Sequence, residues 1–374
     1  MTIVLSSQGG AVIAWVSMRD RSIFVLAGMG LFLCAAHAQE SGMQSGTLLA
    51  DHGIAFNQKT GKVYAVDQEH GAVMVIDGRS GVAKRVKVGT HPDCIAVNTV
   101  TGRAYIANSG SGNVSVLDGG TDQVIATVKT DRRPYYVGVN EATNKVFVSN
   151  TFSRVMTVID GETNTSKELP VGSGDALIVD GKSDKVYLLG YEDPNLRVID
   201  GTTGATAKEP VGSVHAWAPA IDAERRVLYV TRSGTADILV LGMDTHEHSV
   251  IKVGGIPSAV AVDALTHRVY VANYADDTMS VIDGGRVVAT VKVGRSPQNI
   301  AVDAKRKRVY VANFHGDSVT VIDSANNRVL ATKPAGKNPY AVVVDEAEGT
   351  VFAGNMTRPS PEGAPVFTQV AVGR

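Results

Sequence analysis

The chain has 374 residues, with 36 basic and 37 acidic side chains and a net charge of −1 at neutral pH. A charge this close to zero provides no global attraction for nucleic acid or for an acidic membrane surface. Apolar residues make up 44% of the chain, enough for a folded core, and 39 glycines indicate many tight turns. Helical periodicity is hard to find after residue 40, so we expect an all-β protein.

The N-terminal segment is typical of a secretory signal. Arg19 and Arg21 form a short basic region, and the apolar run from Ile23 to Ala36 follows with 14 residues. This run is shorter than the roughly 20 residues that a membrane-spanning helix needs. Ala36-His37-Ala38 then places small residues at the two positions that a signal peptidase reads.

We therefore predict a signal peptide over residues 1–38, with cleavage before Gln39. The remainder, 39–374, is predicted to be one domain with a periplasmic or secreted location and no transmembrane segment. Either Met1 or Met18 fits as the start of translation.

Cysteine usage fits a protein that is held together by packing. Cys34 and Cys94 are the two cysteines of the chain, and Cys34 lies within the predicted signal. The mature protein then has no internal disulfide. Cys94 lies at the start of a predicted strand, where we expect a buried, inert thiol rather than a nucleophile.

A strand centred on an aromatic residue recurs eight times along the chain. Successive copies lie 40 to 42 residues apart, and a period that regular indicates one supersecondary unit copied in tandem. The central aromatic residues are Tyr64, Tyr105, Phe147, Tyr187, Tyr229, Tyr270, Tyr310 and Phe352.

One well-preserved copy runs from Pro257 to Gly294. Its first segment is continuously apolar, its second is β-branched and aromatic, and its third alternates apolar with polar residues, as strands do. Gly284-Gly285 then predicts a hairpin turn before a fourth strand. Four short antiparallel strands in about 40 residues are the size of one propeller blade.

The best-preserved second strands read Tyr270-Val271-Ala272-Asn273 and Tyr310-Val311-Ala312-Asn313. They resemble the YVTN-type β-propeller repeat family, whose namesake motif is a Tyr-Val-Thr/Ala-Asn strand. The resemblance covers about residues 51–374. It implies an exported propeller, of the kind found among bacterial surface and periplasmic proteins, and it is specific for fold rather than for activity.

Eight copies predict a β-propeller of eight four-stranded blades; seven blades, with one copy distorted, is the alternative. The last copy ends early, after a Pro-rich loop and one more strand over Val366–Val372. We expect Ser45–Leu49 to supply its missing outer strand, which pairs the two ends of the chain and closes the ring.

In a propeller, the loops that join fourth to first strands and second to third strands meet at one mouth of the central channel, where ligands bind. Basic side chains there suit an anionic ligand, and aromatic side chains supply flat contact area. Solvated loops, with aromatics packed between blades, are the alternative interpretation. The candidate ligand-binding residues are His91, Asp93, Arg133, Tyr135, His215, Trp217, Arg295, Asn299, Lys337 and Tyr340.

Five histidines fall in the same mouth-side loops, and three converging imidazoles could bind zinc or copper. No pair of them has metal-ligand spacing along the sequence, so the hypothesis depends on the fold, and we expect no cofactor. These histidines are His52, His70, His91, His215 and His315.

Two kinds of polar residue recur in most copies, so we expect them to form turns rather than to bind ligands. The asparagines that end second strands are Asn108, Asn150, Asn273, Asn313 and Asn355. The aspartates that end third strands are Asp77, Asp118, Asp160, Asp200, Asp283 and Asp323.

The sequence has no serine nucleophile elbow, phosphate loop, paired zinc motif or haem-attachment motif. We expect an exported, non-catalytic scaffold that binds a protein, a glycan or a small molecule at the channel mouth. The alternative is an enzyme of lactonase-like type, with Asp93, Asp175 and Asn299 as candidate calcium ligands, or an accessory subunit of a periplasmic redox system.

Overall fold

The computed structural model describes residues 2–8, 11–18, 21–26, 53–190, 193–212, 215–356 and 366–372. The chain divides into two compact units, Met1–Leu48 and Leu49–Arg374. In the first unit, three strands form an antiparallel sheet in the order β1-β2-β3. They are β1 Thr2–Gln8, β2 Ala11–Met18 and β3 Arg21–Leu26. The signal-peptide assignment of this segment stays a prediction.

The second unit consists of eight antiparallel sheets, which are the blades. Blade 1 contains β4 Ile54–Asn57, β5 Lys62–Asp67, β6 Ala72–Asp77 and β7 Ala83–Lys87. Blade 2 contains β8 Pro92–Asn98, β9 Arg103–Asn108, β10 Asn113–Asp118 and β11 Gln123–Lys129. Blade 3 contains β12 Pro134–Asn140, β13 Lys145–Asn150, β14 Met156–Asp160 and β15 Ser166–Leu169. Blade 4 contains β16 Ala176–Asp180, β17 Lys185–Leu189, β18 Asn195–Asp200 and β19 Thr206–Pro210.

The remaining blades follow the same plan. Blade 5 contains β20 Ala216–Asp222, β21 Val227–Arg232, β22 Asp237–Gly242 and β23 His248–Lys252. Blade 6 contains β24 Pro257–Val262, β25 Val269–Asn273, β26 Thr278–Asp283 and β27 Arg286–Lys292. Blade 7 contains β28 Pro297–Asp303, β29 Arg308–Asn313, β30 Ser318–Asp323 and β31 Arg328–Pro334. Blade 8 contains β32 Pro339–Asp345, β33 Thr350–Asn355 and β34 Phe367–Val370.

The innermost strand of each blade contacts the innermost strand of the next, and β32 of blade 8 contacts β4 of blade 1. The sheets therefore form a closed ring, and the predicted eight-bladed propeller is confirmed; the alternative of seven blades is wrong. The predicted closing strand, Ser45–Leu49, lies outside the described residues. In the described part of the chain, no helix has the length and apolar character needed to cross a membrane, and the 3₁₀ turn Phe314–Gly316 lies in blade 7.

The recurring aromatic residues provide the packing between blades. Seven of the eight are at most 3% exposed, and Tyr229 is 8% exposed. Where the ring closes, Tyr340 and Phe352 of blade 8 belong to one apolar cluster with Ile54 and Val63 of blade 1. Cys94 is fully buried, as predicted, and its Sγ accepts a hydrogen bond from the backbone N–H of Val137 in the next blade.

Polar contacts also join neighbouring blades, on the face opposite the mouth. The Asn or Asp that ends an innermost strand reaches the first-to-second turn of the following blade. Asn57 Nδ2 donates to the Gly102 carbonyl oxygen at 3.0 Å, and Asn140 Nδ2 donates to Asp184 Oδ1 at 2.6 Å. Asp180 instead forms an ion pair with Arg226 at 2.7 Å. The same structural position therefore carries different chemistry in different blades.

The repeated polar residues are structural, but they act in two ways. Asp118 Oδ1 accepts the backbone N–H groups of Gly120 at 3.0 Å and Thr121 at 2.8 Å, as expected of a turn former. These hydrogen bonds lower the pKa of Asp118. The side chains of the second-strand asparagines instead donate from Nδ2 to hydroxyls on the adjacent third strand, so the prediction of a turn role was wrong for these side chains. Asn313 Nδ2 donates to the hydroxyl of Thr320 on the adjacent strand at 2.9 Å, and its Oδ1 accepts the N–H of Gly294 at 3.1 Å.

The contact between Gly53 and Tyr340 gives a test of ring closure. A Cβ at Gly53 would lie 2.3 Å from Tyr340 Oη and 2.9 Å from two of its ring carbons. We expect Gly53→Ala to lower the free energy of unfolding by roughly 1–3 kcal/mol, measured by chemical denaturation, because the ring cannot move aside within the packed cluster.

Gly120→Ala is the matched control, since a Cβ there would meet Asp118 Oδ1 alone, at 3.3 Å. Replacing Tyr340 by Leu in the Gly53→Ala protein should recover part of the loss. Equal effects of the two glycine substitutions would contradict this account of the closing contact.

Candidate functional site

A β-bulge shapes the mouth end of the innermost strand in six blades. The pairing register shifts just after the first residue of the strand, in blades 2, 3, 5, 6, 7 and 8. A bulge leaves a residue unpaired and redirects its side chain. Four predicted candidates lie within these shifts: Asp93, Tyr135, Trp217 and Tyr340.

The residue before each of these strands has a left-handed backbone. Its carbonyl oxygen accepts an N–H from the second-to-third loop of the same blade, at 2.9 to 3.2 Å. The backbone conformation is thus fixed by this hydrogen bond, while five different side chains occupy the six positions. These residues are His91, Arg133, His215, Ile256, Ser296 and Asn338, with φ between 46° and 72°.

Asp93 is the mouth-side carboxylate with the most unusual environment. It is 5% exposed, and Gln68 Nε2 of blade 1 donates to its Oδ1 at 2.5 Å. Burial raises the pKa of Asp93 to about 7, although the side chains of Ser109 and Gln68 and the charge of Arg133 oppose the shift. Asp93 therefore changes its protonation near neutral pH, which ordinary aspartates do not.

Blade 3 presents an aromatic and cationic surface beside Asp93. Phe152, in the second-to-third loop, is 66% exposed. The guanidinium carbon of Arg133 lies 5.5 Å from the centre of its ring, within cation–π range. Tyr135 is half-buried on the adjoining innermost strand. Phe152 was not among the sequence candidates, because nothing in the sequence marks an aromatic residue in a polar loop as exposed.

Three other candidates have structural partners. Tyr340 is 3% exposed and packs within the cluster that joins blades 8 and 1, so it offers no surface at the mouth. Asn299 Oδ1 accepts the backbone N–H of Val342 in the next blade at 3.1 Å. Lys337 forms an exposed ion pair with Asp317 at 2.7 Å.

The remaining candidates lie apart from the Asp93 region. His215 and Trp217 are half-buried in blade 5, three blades from Asp93 along the chain, and Arg295 is exposed at the edge of blade 7. His91 is also exposed, directly before the innermost strand of blade 2. The structure thus brings Asp93, Arg133 and Tyr135 together in neighbouring blades and distributes the others around the mouth.

The histidines are engaged separately. His70 Nδ1 lies 2.8 Å from Asp67 Oδ1. His315 Nδ1 lies 3.0 Å from Ser296 Oγ and 3.2 Å from the hydroxyl of Tyr274. Within the described ranges, no three His, Cys, Asp or Glu side chains come close enough to hold a metal ion. His52 lies outside these ranges.

One concavity lies within the channel rather than at its mouth. Its volume is about 350 Å³, and the innermost strands of blades 1 to 4 line it. The lining includes Phe56, Val97, Val139 and Val179, and it extends to Thr99 in a turn on the face opposite the mouth. The cavity therefore lies away from the mouth-side loops where ligand binding was predicted.

A sequence signal for this lining was present. In every blade, the two residues before the Asn or Asp that ends or directly follows the innermost strand are apolar and half-buried. Such apolar runs are typical of strands buried on both faces, whereas the structure exposes these residues to the channel. They are Ala55, Phe56, Ala96, Val97, Gly138, Val139, Ile178, Val179, Ala220, Ile221, Ala261, Val262, Ala301, Val302, Val343 and Val344.

Comparisons with known proteins show likeness in fold. No family model and no curated protein sequence matches this chain. Among solved structures, dihydro-heme d1 dehydrogenase NirN, in complex with DHE, is similar at a TM-score of 0.67 and 16% identity over 82% of this chain and 71% of that one. Hydrazine synthase from Kuenenia stuttgartiensis is similar at a TM-score of 0.56 and 16% identity, over 84% of this chain and 96% of that chain.

A third similar structure is the Cps50 (Swd1) β-propeller domain of Myceliophteria thermophila, at a TM-score of 0.59 and 11% identity. That likeness covers 72% of this chain and 95% of the other. At these identities the comparisons show that the chain shares the propeller fold with proteins that are described in very different terms.

The raised pKa of Asp93 predicts how stability depends on pH. A carboxyl whose folded-state pKa exceeds its unfolded value stabilises the protein below the unfolded pKa, and this contribution is lost as the pH rises through the folded pKa. For Asp93 the loss falls between pH about 4 and about 7. We expect the Asp93→Asn variant to be more stable than the natural protein at pH 8, with a free energy of unfolding higher by roughly 1–3 kcal/mol. At pH 5 the difference in free energy of unfolding should be smaller.

Urea denaturation at both pH values measures this difference. Asp131→Asn is the control, because a hydrogen bond from the Ser153 hydroxyl lowers the pKa of Asp131, so its removal should not raise stability at pH 8. If Asp93→Asn and the natural protein keep the same difference in stability at both pH values, Asp93 is already ionised in the folded protein at pH 5.

Proposed function

We propose that this protein is an exported, non-catalytic binding scaffold, and that its channel takes up the apolar part of a small-molecule ligand. The observation that carries the proposal is the cavity of about 350 Å³ among the innermost strands. This volume falls in the range of small-molecule sites, which are concave and mostly apolar. Export rests on the predicted signal peptide.

The chemistry of the lining favours binding over catalysis. The described residues around the cavity are Ala, Val, Ile, Leu, Gly and Phe, together with Thr99 and Tyr136, and they include no carboxylate, imidazole, amine or thiol. Apolar surface contributes about 25 cal/mol for each Å² removed from water. Such a lining supplies binding energy, and the hydroxyls of Thr99 and Tyr136 are the polar side-chain groups of its described residues.

The similar structures are compatible with this function at the level of fold. NirN, which shares the propeller fold, is described in complex with DHE. An accessory role in a periplasmic redox system is the second candidate, which the description of that protein as a dehydrogenase favours. A lactonase-like hydrolysis lacks such an observation.

A channel-filling substitution tests the proposal. Ala96 lines the cavity in blade 2, and Ala261 occupies the same strand position in blade 6, away from the cavity lining. We expect the mature protein to bind the neutral fluorescent probe N-phenyl-1-naphthylamine saturably. Ala96→Phe should weaken that binding about 10-fold or more, because the ring occupies the volume that the probe needs.

Ala261→Phe is the matched control and should change the dissociation constant less than about 2-fold. Fluorescence titration gives both values, and urea denaturation shows whether the two variants fold equally well. Absence of saturable probe binding, or equal weakening by both substitutions, would contradict a ligand site in this cavity.

A further inference from the structure

The second-to-third loop of blade 3 holds an aromatic side chain in solvent at a conformational cost. Phe152 has φ of 63° and is 66% exposed. A bulky residue in the left-handed region is an outlier, because its Cβ crowds the backbone, and glycine or asparagine occupies such positions more readily. Neither core packing nor turn chemistry therefore accounts for Phe at this position.

The loop that carries Phe152 is firmly held. The N–H of Thr151 donates to the Arg133 carbonyl oxygen at 3.0 Å, and the N–H of Ser153 donates to the Asn150 carbonyl oxygen at 3.1 Å. The Ser153 hydroxyl bonds Asp131 and accepts the N–H of Val155 at 3.1 Å. The exposed ring is thus presented in a fixed position, which lowers the entropy that a partner must overcome on binding.

Three arginines surround this loop. Arg133 stacks on the Phe152 ring, while Arg132 and Arg154 are exposed on either side along the chain. In the part of the chain that the structure describes, none of the three forms an ion pair, whereas Arg197 in blade 4 is paired with Asp193. A guanidinium without an ion-pair partner beside an exposed aromatic ring is the composition of a binding hot spot.

The carboxylates nearby offset these arginines only in part, since the charge of Arg132 acts on Asp131 and that of Arg133 acts on Asp93. Asp131 accepts the Ser153 hydroxyl, which lowers its pKa and keeps it charged. Asp93 is buried, and its raised pKa of about 7 reduces its negative charge at neutral pH. Three positive charges therefore face one fully ionised carboxylate at this part of the mouth.

We propose that Phe152, Arg132, Arg133 and Arg154 form a docking patch for an acidic segment of a partner protein. Arginine forks match carboxylates, and the exposed ring takes an apolar side chain of the same segment. Nucleic acid is less suited, because it needs a continuous basic surface and this chain has a net charge of −1. The patch is separate from the channel cavity and does not depend on it.

The test uses a fluorescein-labelled peptide of repeating Glu-Glu-Tyr and the mature protein, with binding followed by fluorescence anisotropy. We expect saturable binding that Phe152→Asn and Arg133→Gln each weaken about 10-fold or more. Arg295→Gln removes an exposed arginine from the mouth of blade 7 and should weaken binding less than about 2-fold. Ala96→Phe, which fills the channel, should leave peptide binding unchanged.

The melting temperature of Phe152→Asn separates recognition from folding. Because asparagine suits the left-handed backbone, the variant should melt at the same temperature as the natural protein or higher, while it loses the peptide. Failure of the natural protein to bind the peptide saturably would overturn the proposal. So would equal weakening by Arg295→Gln, or binding of a single-stranded DNA of the same charge with the same dependence on Phe152, which would indicate a general polyanion surface.

Discussion

The structure depends on the burial of one aromatic ring per blade against the neighbouring blade. A single four-stranded sheet cannot bury both of its faces, so each blade is stable because another lies on either side of it. Removing such a ring from a core costs about 3–5 kcal/mol, a large share of a typical stability. Eight such contacts satisfy every blade once the ring closes, as the cluster of Phe352 with Ile54 and Val63 shows.

Most of the fold could be predicted from the sequence, because the spacing of 40 to 42 residues between the recurring aromatic residues is the length of one blade. Turn chemistry was readable for the third-strand aspartates, whose oxygens accept N–H groups two and three residues ahead. The prediction of a turn role was wrong for the asparagine side chains, because Asn313 donates to a hydroxyl on the adjacent strand. Such a contact depends on strand pairing, which cannot be deduced from one residue type. Tyr340 was similarly misjudged, since exposure at a loop end depends on the neighbouring blade.

The candidate site was less predictable, since it depends on backbone geometry. The bulges that redirect Asp93 and Tyr135 leave no motif in the sequence. The left-handed conformation of Phe152 could not be predicted from the sequence either, because asparagine or glycine is expected at such a position. The channel lining was visible as apolar pairs before each terminal Asn or Asp, but an apolar run does not indicate whether protein or solvent covers it.

The left-handed residues before the innermost strands have a consequence for how this protein can change. Their geometry is secured by a main-chain carbonyl, as when the oxygen of His91 accepts the N–H of Ser109. The side chain attached there takes no part in this hydrogen bond. These six positions around the channel mouth can therefore be substituted independently of one another. Each substitution alters what the mouth recognises without disturbing the fold beneath it.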